Sequence, residues 1–293
     1  MDLPSFREQF ETHLRRFLLK KTQDLENYAP NEMMSGILAE PARLFEAGGK
    51  RVRPLFCVAG YELAGGKDLD KAYSAAVALE LFHGFAVIHD DIIDRGEERH
   101  GAPTVHRSIE QKLRADHRRG ELAHVGVGQA IIVGDLLLAW AFEAFTSAGF
   151  SEATLASARR VFFTMVDEVM MGQMLDIDLT TRAHSSYAEL EQKMALKTAG
   201  YTFIRPFEIG LALAENQDEQ LRHLGAIFCR ALGVAFQIQD DIVDAFGTVE
   251  ETGKTPLSDI RDHQHSYLTQ WVAEHGNAKQ LETLHRCWGN SSI

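Results

Sequence analysis

Apolar residues recur at intervals of three and four along nearly the whole chain. Near its start, Phe6, Phe10, Leu14, Phe17 and Leu18 form one such stripe, which is typical of an amphipathic helix. Clear strand-like alternation is absent, and runs of β-branched residues are short. The same periodicity covers further segments, at 33–45, 54–64, 72–93, 127–149, 153–177, 187–214, 218–246 and 265–288. The pattern predicts an all-α chain with roughly nine or ten core helices.

Glycine and proline punctuate the pattern where helices should end, as at Gly48-Gly49, Gly65-Gly66 and Gly101-Ala102-Pro103. No Pro/Ser-rich linker or low-complexity tract separates the segments, so we expect one domain over residues 1–293. Several helices are apolar nearly all round, as expected at the centre of a large bundle. The polar stretch 107–124 is predicted to be a loop or short helix, over the mouth of a site or at a subunit edge.

Composition narrows the functional classes. The chain has 30 basic and 42 acidic residues and a net charge of −12, so it offers no long basic stripe for nucleic acid. Three widely spaced cysteines have no metal-type spacing and are read as buried free thiols, which is consistent with the cytoplasm. The first residues lack a signal peptide. The most apolar run, 125–145, is interrupted by polar residues and is predicted to be a core helix, not a transmembrane segment.

Two copies of Asp-Asp-x-x-Asp stand inside otherwise apolar helical runs. Asp90 and Asp94 are i and i+4, so their carboxylates share one helix face, and the same holds for Asp240 and Asp244. Acids this close repel each other unless a cation lies between them. Mg²⁺ takes one or two carboxylates while sharing substrate phosphates, so the motifs indicate a Mg²⁺ site for a phosphorylated substrate. The alternative, a solvated helix end, is weakened by the second copy.

Cationic residues accompany these motifs. The run Gly48-Gly49-Lys50-Arg51-Val52-Arg53-Pro54 joins flexible backbone, three cations and a helix start, which favours a phosphate group over a merely solvated loop. Arg99 follows the first Asp motif and can reach back toward it. Lys197-Thr198 lies in an apolar run, where a lysine needs an anion. Gln173 and Asp176 are a polar pair in another apolar helix and require partners.

These residues and their order resemble the trans-isoprenyl diphosphate synthases (polyprenyl synthetases), which include the farnesyl and geranylgeranyl diphosphate synthases. The shared motifs run from about residue 40 to residue 265 and are, in order, GGKRVRP, H-x6-DDIID, RHGAPTVH, Gly134-Asp135, GQMLD, KTA at 197–199, FQIQDDIVD and GKTPLSDIRD. One Asp motif is a weak signal, but this ordered set is highly specific.

The resemblance implies an all-α isoprenoid-synthase helical bundle around a central active-site cavity, usually as a homodimer. The implied metal ligands are Asp90, Asp91, Asp94, Asp240 and Asp244. The implied contacts to the allylic diphosphate are Arg99, Lys197 and Lys254. The implied contacts to isopentenyl diphosphate are Lys50, Arg53, His83 and the residue at position 100. Thr198 and Gln237 would lie beside the reacting carbons.

The implied reaction is a Mg²⁺-dependent head-to-tail condensation of isopentenyl diphosphate with an allylic diphosphate. Metal and cations stabilise the leaving diphosphate, and apolar walls keep water from the allylic cation. A terpene cyclase would share the fold and one Asp motif but has no use for GGKRVRP. A catalytically weak regulatory subunit would not need both intact Asp motifs. The pair His89-Asp90 also raises the alternative of a His-Asp metal phosphohydrolase. That metal site needs another histidine from an upstream helix, and none occurs between His13 and His83.

The chain departs from the family pattern at three places. His100 stands where a second arginine is usual, which makes the isopentenyl diphosphate contact weaker or dependent on pH. Asp262-His263-Gln264-His265 stands where a lysine usually follows, so one allylic-diphosphate contact is expected to be missing. The chain stops at Ile293, where relatives commonly continue, so we expect it to lack C-terminal helices.

Product length is predicted from the helix that precedes the first Asp motif. Phe85 and Phe82 stand five and eight residues before Asp90, which places them about 1.4 and 2.2 turns deeper. An aromatic residue at the first position and no insertion in the Asp motif resemble the enzymes that make geranylgeranyl diphosphate. Farnesyl diphosphate is the second candidate product. The alternative is that both phenylalanines are ordinary core residues.

Overall fold

The chain is described as a computed structural model, which covers residues 2–248 and 257–290. Helices make up 77% of the structure and strands 1%, which confirms the predicted all-α class. The helices are α1 (Leu3–Glu26), α2 (Glu32–Leu38), α3 (Glu40–Glu46), α4 (Val52–Leu63), α5 (Leu69–Ile93), α6 (Val105–Ala115), α7 (Leu122–Thr146), α8 (Glu152–Leu179), α9 (Tyr187–Met194), a π-helix (Ala195–Ile204), α10 (Arg205–Leu213), α11 (Glu219–Phe246), α12 (Ser258–Arg261), α13 (Tyr267–His275) and α14 (Ala278–Cys287).

Several helix boundaries differ from those that the apolar periodicity predicts. The run 187–214 contains three elements, because a π-helix of ten residues separates α9 from α10. The first half of the polar stretch 107–124 belongs to helix α6, which buries Val105, Ile109 and Leu113. A two-residue hairpin was not predicted: β1 (Glu98–Arg99) pairs antiparallel with β2 (Ala102–Pro103). Strands this short lie below the length at which alternation is visible.

The chain divides into two compact units. The first contains Met1–Ala156 and Gly210–Glu215, and the second contains Ser157–Ile209 and Asn216–Ile293. Each unit has buried apolar side chains of its own, such as Phe82 in the first and Phe162 in the second. Burying a side chain of this size contributes about 1.5–3 kcal/mol. That the whole chain is one domain stays a prediction.

Helix α5 is the centre of the first unit and packs along α4 and α7. Its buried residues lie all around the helix, as the absence of a polar face in its sequence predicts. Small residues permit close packing: a Cβ on Gly84 would stand 2.6 Å from Phe45 and 3.0 Å from Leu137. The C-terminal end of this packed helix carries the first Asp motif, so a rigid element positions it.

Helix α11 and the π-helix form the corresponding core of the second unit. A Cβ on Gly233 would stand 2.4 Å from the Ala199 side chain, so the two backbones approach closely there. The rings of Phe203 and Phe236 meet edge to face at 5.5 Å. This contact aligns Lys197 and Thr198, on the π-helix, with the stretch of α11 that leads into the second Asp motif.

Two helices, α7 and α11, are long and apolar enough to cross a membrane by length and composition alone. A core helix of a soluble protein passes the same test. Within the most apolar window of α7, 39% is buried in the protein, whereas 11% of the α11 window is. Helix α7 packs on α5 and α6, burying Val133, Leu137 and Trp140. That run 125–145 is a core helix and not a transmembrane segment stays a prediction.

Candidate active site

The first Asp motif lies where α5 ends. Asp94 is the C-cap, and its backbone N–H donates to the Asp90 carbonyl at 2.8 Å, so the last turn still places both side chains on one face. Both carboxylates are half-buried, whereas Asp91 is only 5% exposed. The structure therefore presents Asp90 and Asp94 together and turns Asp91 into the protein.

Arg99 holds Asp91 through a bidentate ion pair. Its Nε and Nη2 donate to the Asp91 carboxylate at 2.7–3.1 Å. Burial acts to lower the pKa of the Arg99 guanidinium, but the Asp91 carboxylate outweighs it and the pKa is raised. Asp90 and Asp94 raise the same pKa further, so Arg99 lies within their field. In this arrangement Asp91 anchors the arginine, and Asp90 and Asp94 share the helix face that the sequence predicts for a metal.

The three cations of the glycine-rich loop have different positions. Arg51 is 4% exposed and donates to Glu80 at 2.7 Å, to Glu11 at 2.8 Å and to the Phe45 carbonyl at 2.7 Å. Arg51 therefore anchors the loop inside the protein, and the two cations of this loop that were assigned to isopentenyl diphosphate are Lys50 and Arg53. Lys50 is exposed and Arg53 is half-buried at the start of α4.

His83 lies among the cations predicted to bind isopentenyl diphosphate. Burial lowers its pKa well below the ordinary value, and the charges of Arg53, Arg99, Arg51 and His100 lower it further. His83 is thus neutral at pH 7, and the charges of the predicted residues Arg53, Arg99 and His100 act on it. His100 is exposed, and its φ of 52° puts it in the left-handed region at the hairpin turn.

In the second unit, one buried carboxylate holds two lysines. Asp176 is 4% exposed, and its two oxygens accept from Lys197 at 2.5 Å and from Lys193 at 3.0 Å. Burial acts to raise the pKa of Asp176, but the two lysines outweigh it and lower the pKa. Sequence reasoning missed Lys193, although its spacing of four from Lys197 could have indicated it. Nε2 of neighbouring Gln173 is buried without a hydrogen-bond partner among the described residues.

A polar chain connects the predicted catalytic residues of the second unit. The Thr198 hydroxyl donates to Oε1 of Gln237 at 2.6 Å, and Nε2 of Gln237 donates to Asp241 at 2.8 Å. Burial raises the pKa of Asp241, and its bond from Gln237 opposes that rise. The π-helix, a form often found at functional sites, sets Lys197 toward Asp176 and Thr198 toward Gln237.

The second Asp motif ends at the C-terminus of α11. Asp240 is exposed, and Asp244 accepts from the Ser258 hydroxyl at 2.5 Å and from the Asp259 backbone N–H at 3.1 Å. Asp244 thereby caps the start of α12 from a distance of fourteen residues in sequence. The predicted diphosphate ligand Lys254 lies outside the described residues.

The segment that departs from the family pattern has contacts of its own. His265 is buried, with Nδ1 2.9 Å from the Ser185 hydroxyl and Nε2 3.1 Å from the Arg182 carbonyl. Because a carbonyl only accepts, Nε2 donates and Nδ1 accepts in the neutral ring. The rings of His263 and His265 both contact Trp288, at centroid distances of 4.1 and 4.5 Å, and His265 meets the indole edge to face. These histidines tie the chain after α12 to the α8–α9 connection.

The predicted chain-length residues are packed within the first unit. The rings of Phe82 and Phe85 lie 5.5 Å apart, and Phe85 lies 4.6 Å from the ring of His89. His89 approaches α7, with Nε2 3.3 Å from the Ile131 carbonyl. The three rings form a continuous series of tilted ring contacts, and its last member, His89, precedes Asp90 in the chain. Their role in product length stays a prediction.

The donor chemistry suits a hard divalent cation. Asp90 with Asp94, and Asp240 with Asp244, are oxygen ligands in pairs, which is the number of carboxylates Mg²⁺ takes beside substrate phosphates. No group of three or more His, Cys, Asp or Glu side chains gathers as a metal cluster in residues 2–248 and 257–290. The residues therefore fit a metal that shares its coordination sphere with a phosphorylated ligand better than a closed structural site.

Comparison with known proteins decides the family. The polyprenyl synthetase family model matches residues 36–292. The chain belongs to the polyprenyl synthetase family. This polyprenyl synthetase is 36% identical to a geranylgeranyl diphosphate synthase of Saccharolobus solfataricus over 84% of the chain and 69% of that relative. A second such synthase, from Sulfolobus acidocaldarius, is 33% identical over 85% of the chain and 70% of the relative.

A solved structure is similar along the entire chain. It is the crystal structure of a geranylgeranyl pyrophosphate synthase from Corynebacterium glutamicum complexed with isoprenyl diphosphate and magnesium. Its TM-score is 0.94 at 33% identity, covering 100% of this chain and 84% of that one. The predicted isoprenoid-synthase bundle and the enzyme class, a trans-prenyltransferase, are thus confirmed.

Proposed function

We propose that this polyprenyl synthetase condenses isopentenyl diphosphate with an allylic diphosphate in a Mg²⁺-dependent reaction, and that its product is geranylgeranyl diphosphate. The paired Asp faces at the ends of α5 and α11 carry the proposal, because each stands in its own unit beside cations suited to diphosphate. Relatives named geranylgeranyl diphosphate synthases support the twenty-carbon product. Farnesyl diphosphate remains the second candidate.

The residues divide the work of the reaction. Asp90, Asp94, Asp240 and Asp244 would hold Mg²⁺, which when bound supplies positive charge to the departing diphosphate. Lys197, positioned by Asp176, and Arg99, positioned by Asp91, would bind the allylic diphosphate.

Lys50, Arg53 and neutral His83 would hold isopentenyl diphosphate. The allylic carbon–oxygen bond breaks with its electron pair leaving on the diphosphate, and the double bond of isopentenyl diphosphate attacks the allylic carbon. A proton then leaves the new carbon chain for the released diphosphate. The Thr198 hydroxyl, oriented by Gln237, would place its oxygen lone pairs toward the positive charge.

Diphosphate release tests this reaction. The protein is mixed with isopentenyl diphosphate, farnesyl diphosphate and Mg²⁺, and then with each substrate alone and with EDTA. We expect release only with both substrates and Mg²⁺, and a fall of at least a hundredfold in Asp90→Asn and Asp240→Asn. Asp167→Asn, an exposed residue of α8, is the matched control. Release from farnesyl diphosphate alone would instead indicate a cyclase or hydrolase.

The proposed partners are the two diphosphate substrates and a second copy of the chain, and the proposed location is the cytoplasm. Family membership supports the substrates. Light scattering of the purified protein tests the homodimer, and a monomeric mass with full activity would contradict it.

A further inference from the structure

A groove of about 670 Å³ lies in the first unit, and none of its lining residues belongs to either Asp motif. Its walls are α1, α3 and the loop that follows α3. The volume falls in the range of ligand sites, about 300–1,000 Å³. The groove follows α1 from Arg7 to Thr22, a length of about 22 Å at 1.5 Å per residue. This shape suits an extended chain better than a compact molecule.

The floor of the groove is apolar. Leu14, Leu18 and Phe45 line it and are themselves buried, and Ala39 and Ala42 keep the α3 side shallow. Leu19 also lines the groove and is 60% exposed. Covering this floor with a hydrocarbon chain would contribute about 25 cal/mol for each Å² removed from water.

The rim of the groove is cationic. Arg15 and Arg16 line it and have no ion-pair partner within residues 2–248 and 257–290, and Arg7 donates to the Gly49 carbonyl at 3.3 Å. Of the two lining carboxylates, Glu11 is paired with Arg51, which leaves Glu46 as the opposing charge. A local excess of guanidinium in a chain of net charge −12 favours an anionic group there.

We infer that the groove binds one molecule of an amphiphile with an extended apolar chain and an anionic head. A compact anion would leave the apolar floor in water, and a neutral hydrocarbon would leave the arginines without an acceptor. The guanidinium of arginine can donate two parallel hydrogen bonds to either a phosphate or a carboxylate head group. A single free molecule fits better than a membrane surface, because the floor residues Leu14 and Leu18 are buried and only a chain that enters the groove can cover them. The product assigned under the proposed function belongs to this chemical class.

A ligand bound in the groove should change the position of the loop that carries Lys50, one of the residues proposed to bind isopentenyl diphosphate. Arg7 holds the Gly49 carbonyl, and Arg51, which also lines the groove, fixes the loop to Glu80. A head group that draws Arg7 away would release the loop that carries Lys50. Because coupling between two sites is reciprocal, isopentenyl diphosphate would change the affinity for the amphiphile by the same factor. This coupling rests on the proposed function, whereas binding in the groove does not.

Calorimetric titration with palmitate below its micelle concentration, in EDTA and without substrates, tests the site. We expect one palmitate per chain, and no binding of inorganic phosphate or hexadecanol. Leu19→Asp should weaken palmitate binding at least tenfold, because it places a carboxylate on the groove wall. Leu63→Asp, at an equally exposed leucine outside the groove, is the matched control and should bind as the wild type does.

Charge reversal gives a second, independent variant. Arg15→Glu should weaken palmitate binding at least tenfold, whereas Arg119→Glu, an exposed arginine outside the groove, should not. Palmitate affinity that is the same in Leu19→Asp and Arg15→Glu as in the wild type would overturn the site. Binding of phosphate alone, or sedimentation with phosphatidylglycerol vesicles without binding of free palmitate, would also overturn it.

The coupling has its own measurement. With palmitate saturating, we expect the KM for isopentenyl diphosphate to change at least twofold in the wild type and in Leu63→Asp but not in Leu19→Asp. A constant KM in a protein that binds palmitate would overturn the coupling. Because palmitate binding is measured without substrates, absence of condensation would contradict the proposed function and leave the groove result intact.

Discussion

Asp176 is the residue on which two lysines of the second unit depend. Its buried carboxylate accepts hydrogen bonds from the ammonium groups of both Lys193 and Lys197. The acid thus determines where the Lys197 ammonium lies. It acts as a positioning residue in the proposed reaction.

Asp176→Asn should weaken binding of the allylic diphosphate and lower stability. Breaking a fully buried pair costs roughly 3–5 kcal/mol, and we expect less here because Lys197 is 27% exposed. The KM for the allylic substrate should rise more than that for isopentenyl diphosphate, as steady-state kinetics would measure. Asp178→Asn, which removes an exposed ion pair on the same helix, is the control and should change stability by less than about 1 kcal/mol. Equal changes in the two KM values would contradict the positioning role.

His100→Arg should lower the KM for isopentenyl diphosphate. The charges of His100 and Arg53 both lower the pKa of His83, and a guanidinium at position 100 would offer a permanent bidentate donor. The gain should grow as the pH rises above the histidine range, because the wild-type imidazole is then neutral. Initial rates at pH 6 and pH 8 measure both effects. An unchanged or higher KM would count against a role for position 100.

Among the elements, the contact between α5 and α7 determines the position of the first Asp motif. A Cβ on Gly134 would stand 2.4 Å from the His89 ring, next to Asp90. Gly134→Ala should therefore displace His89, lower kcat and cost about 1–3 kcal/mol through overpacking. Gly128→Ala lies on the same helix with nothing within 4 Å and should stabilise by up to about 1 kcal/mol. Thermal melting and kcat of the two variants, measured together, test this; similar melting temperatures would contradict it.

The same helix is predicted to limit product length. Phe85→Ala, alone or with Phe82→Ala, should lengthen the product if these rings close the bottom of the cavity. Chromatography of the dephosphorylated products measures this, with Phe228→Ala, at an exposed phenylalanine of α11 in the second unit, as the aromatic control. An unchanged product distribution would leave Phe82 and Phe85 as core residues of the α5–α7 contact, which their packing also allows.

At the scale of the whole molecule, buried neutral histidines make stability depend on pH. Burial lowers the pKa of His265 below its ordinary value of 6.5, and the Arg182 carbonyl opposes that change. The unfolded chain binds a proton at His265 as the pH falls below about 6.5, whereas the folded chain does not. The free energy of unfolding therefore falls through this window, and the loss ends below the folded pKa. Above pH 7 His265 adds no dependence.

Urea unfolding of His265→Gln at several pH values tests this account. The variant should lose stability at every pH, but its free energy of unfolding should fall less steeply than that of the wild type between pH 7 and pH 5.5. His275→Gln, at an exposed histidine on α13, should keep the wild-type slope. If the free energy of unfolding of His265→Gln fell with pH as steeply as that of the wild type, groups other than His265 would cause the pH dependence.

Much of this protein is determined by its sequence alone. The spacing of apolar residues predicts the helical class, because a helix must bury one face wherever it packs. The order of the acidic and cationic motifs predicts the family, because the metal, the diphosphates and the reacting carbons each need particular groups at particular places along the chain. Local boundaries are less predictable: the π-helix at Ala195–Ile204 has the same apolar periodicity as its neighbours.

Only the tertiary structure decides which charges meet. Lys50 and Arg51 are adjacent in the sequence, yet Lys50 is exposed while Arg51 is buried against Glu80, twenty-nine residues away. Arg99 of the hairpin likewise pairs with Asp91 of α5, and Asp176 of α8 pairs with Lys193 of α9 and Lys197 of the π-helix. A buried charge must be paired, and its partner is set by how helices pack, which the sequence does not state locally. The same packing creates the arginine-rimmed groove beside α1, for which the chain has no motif.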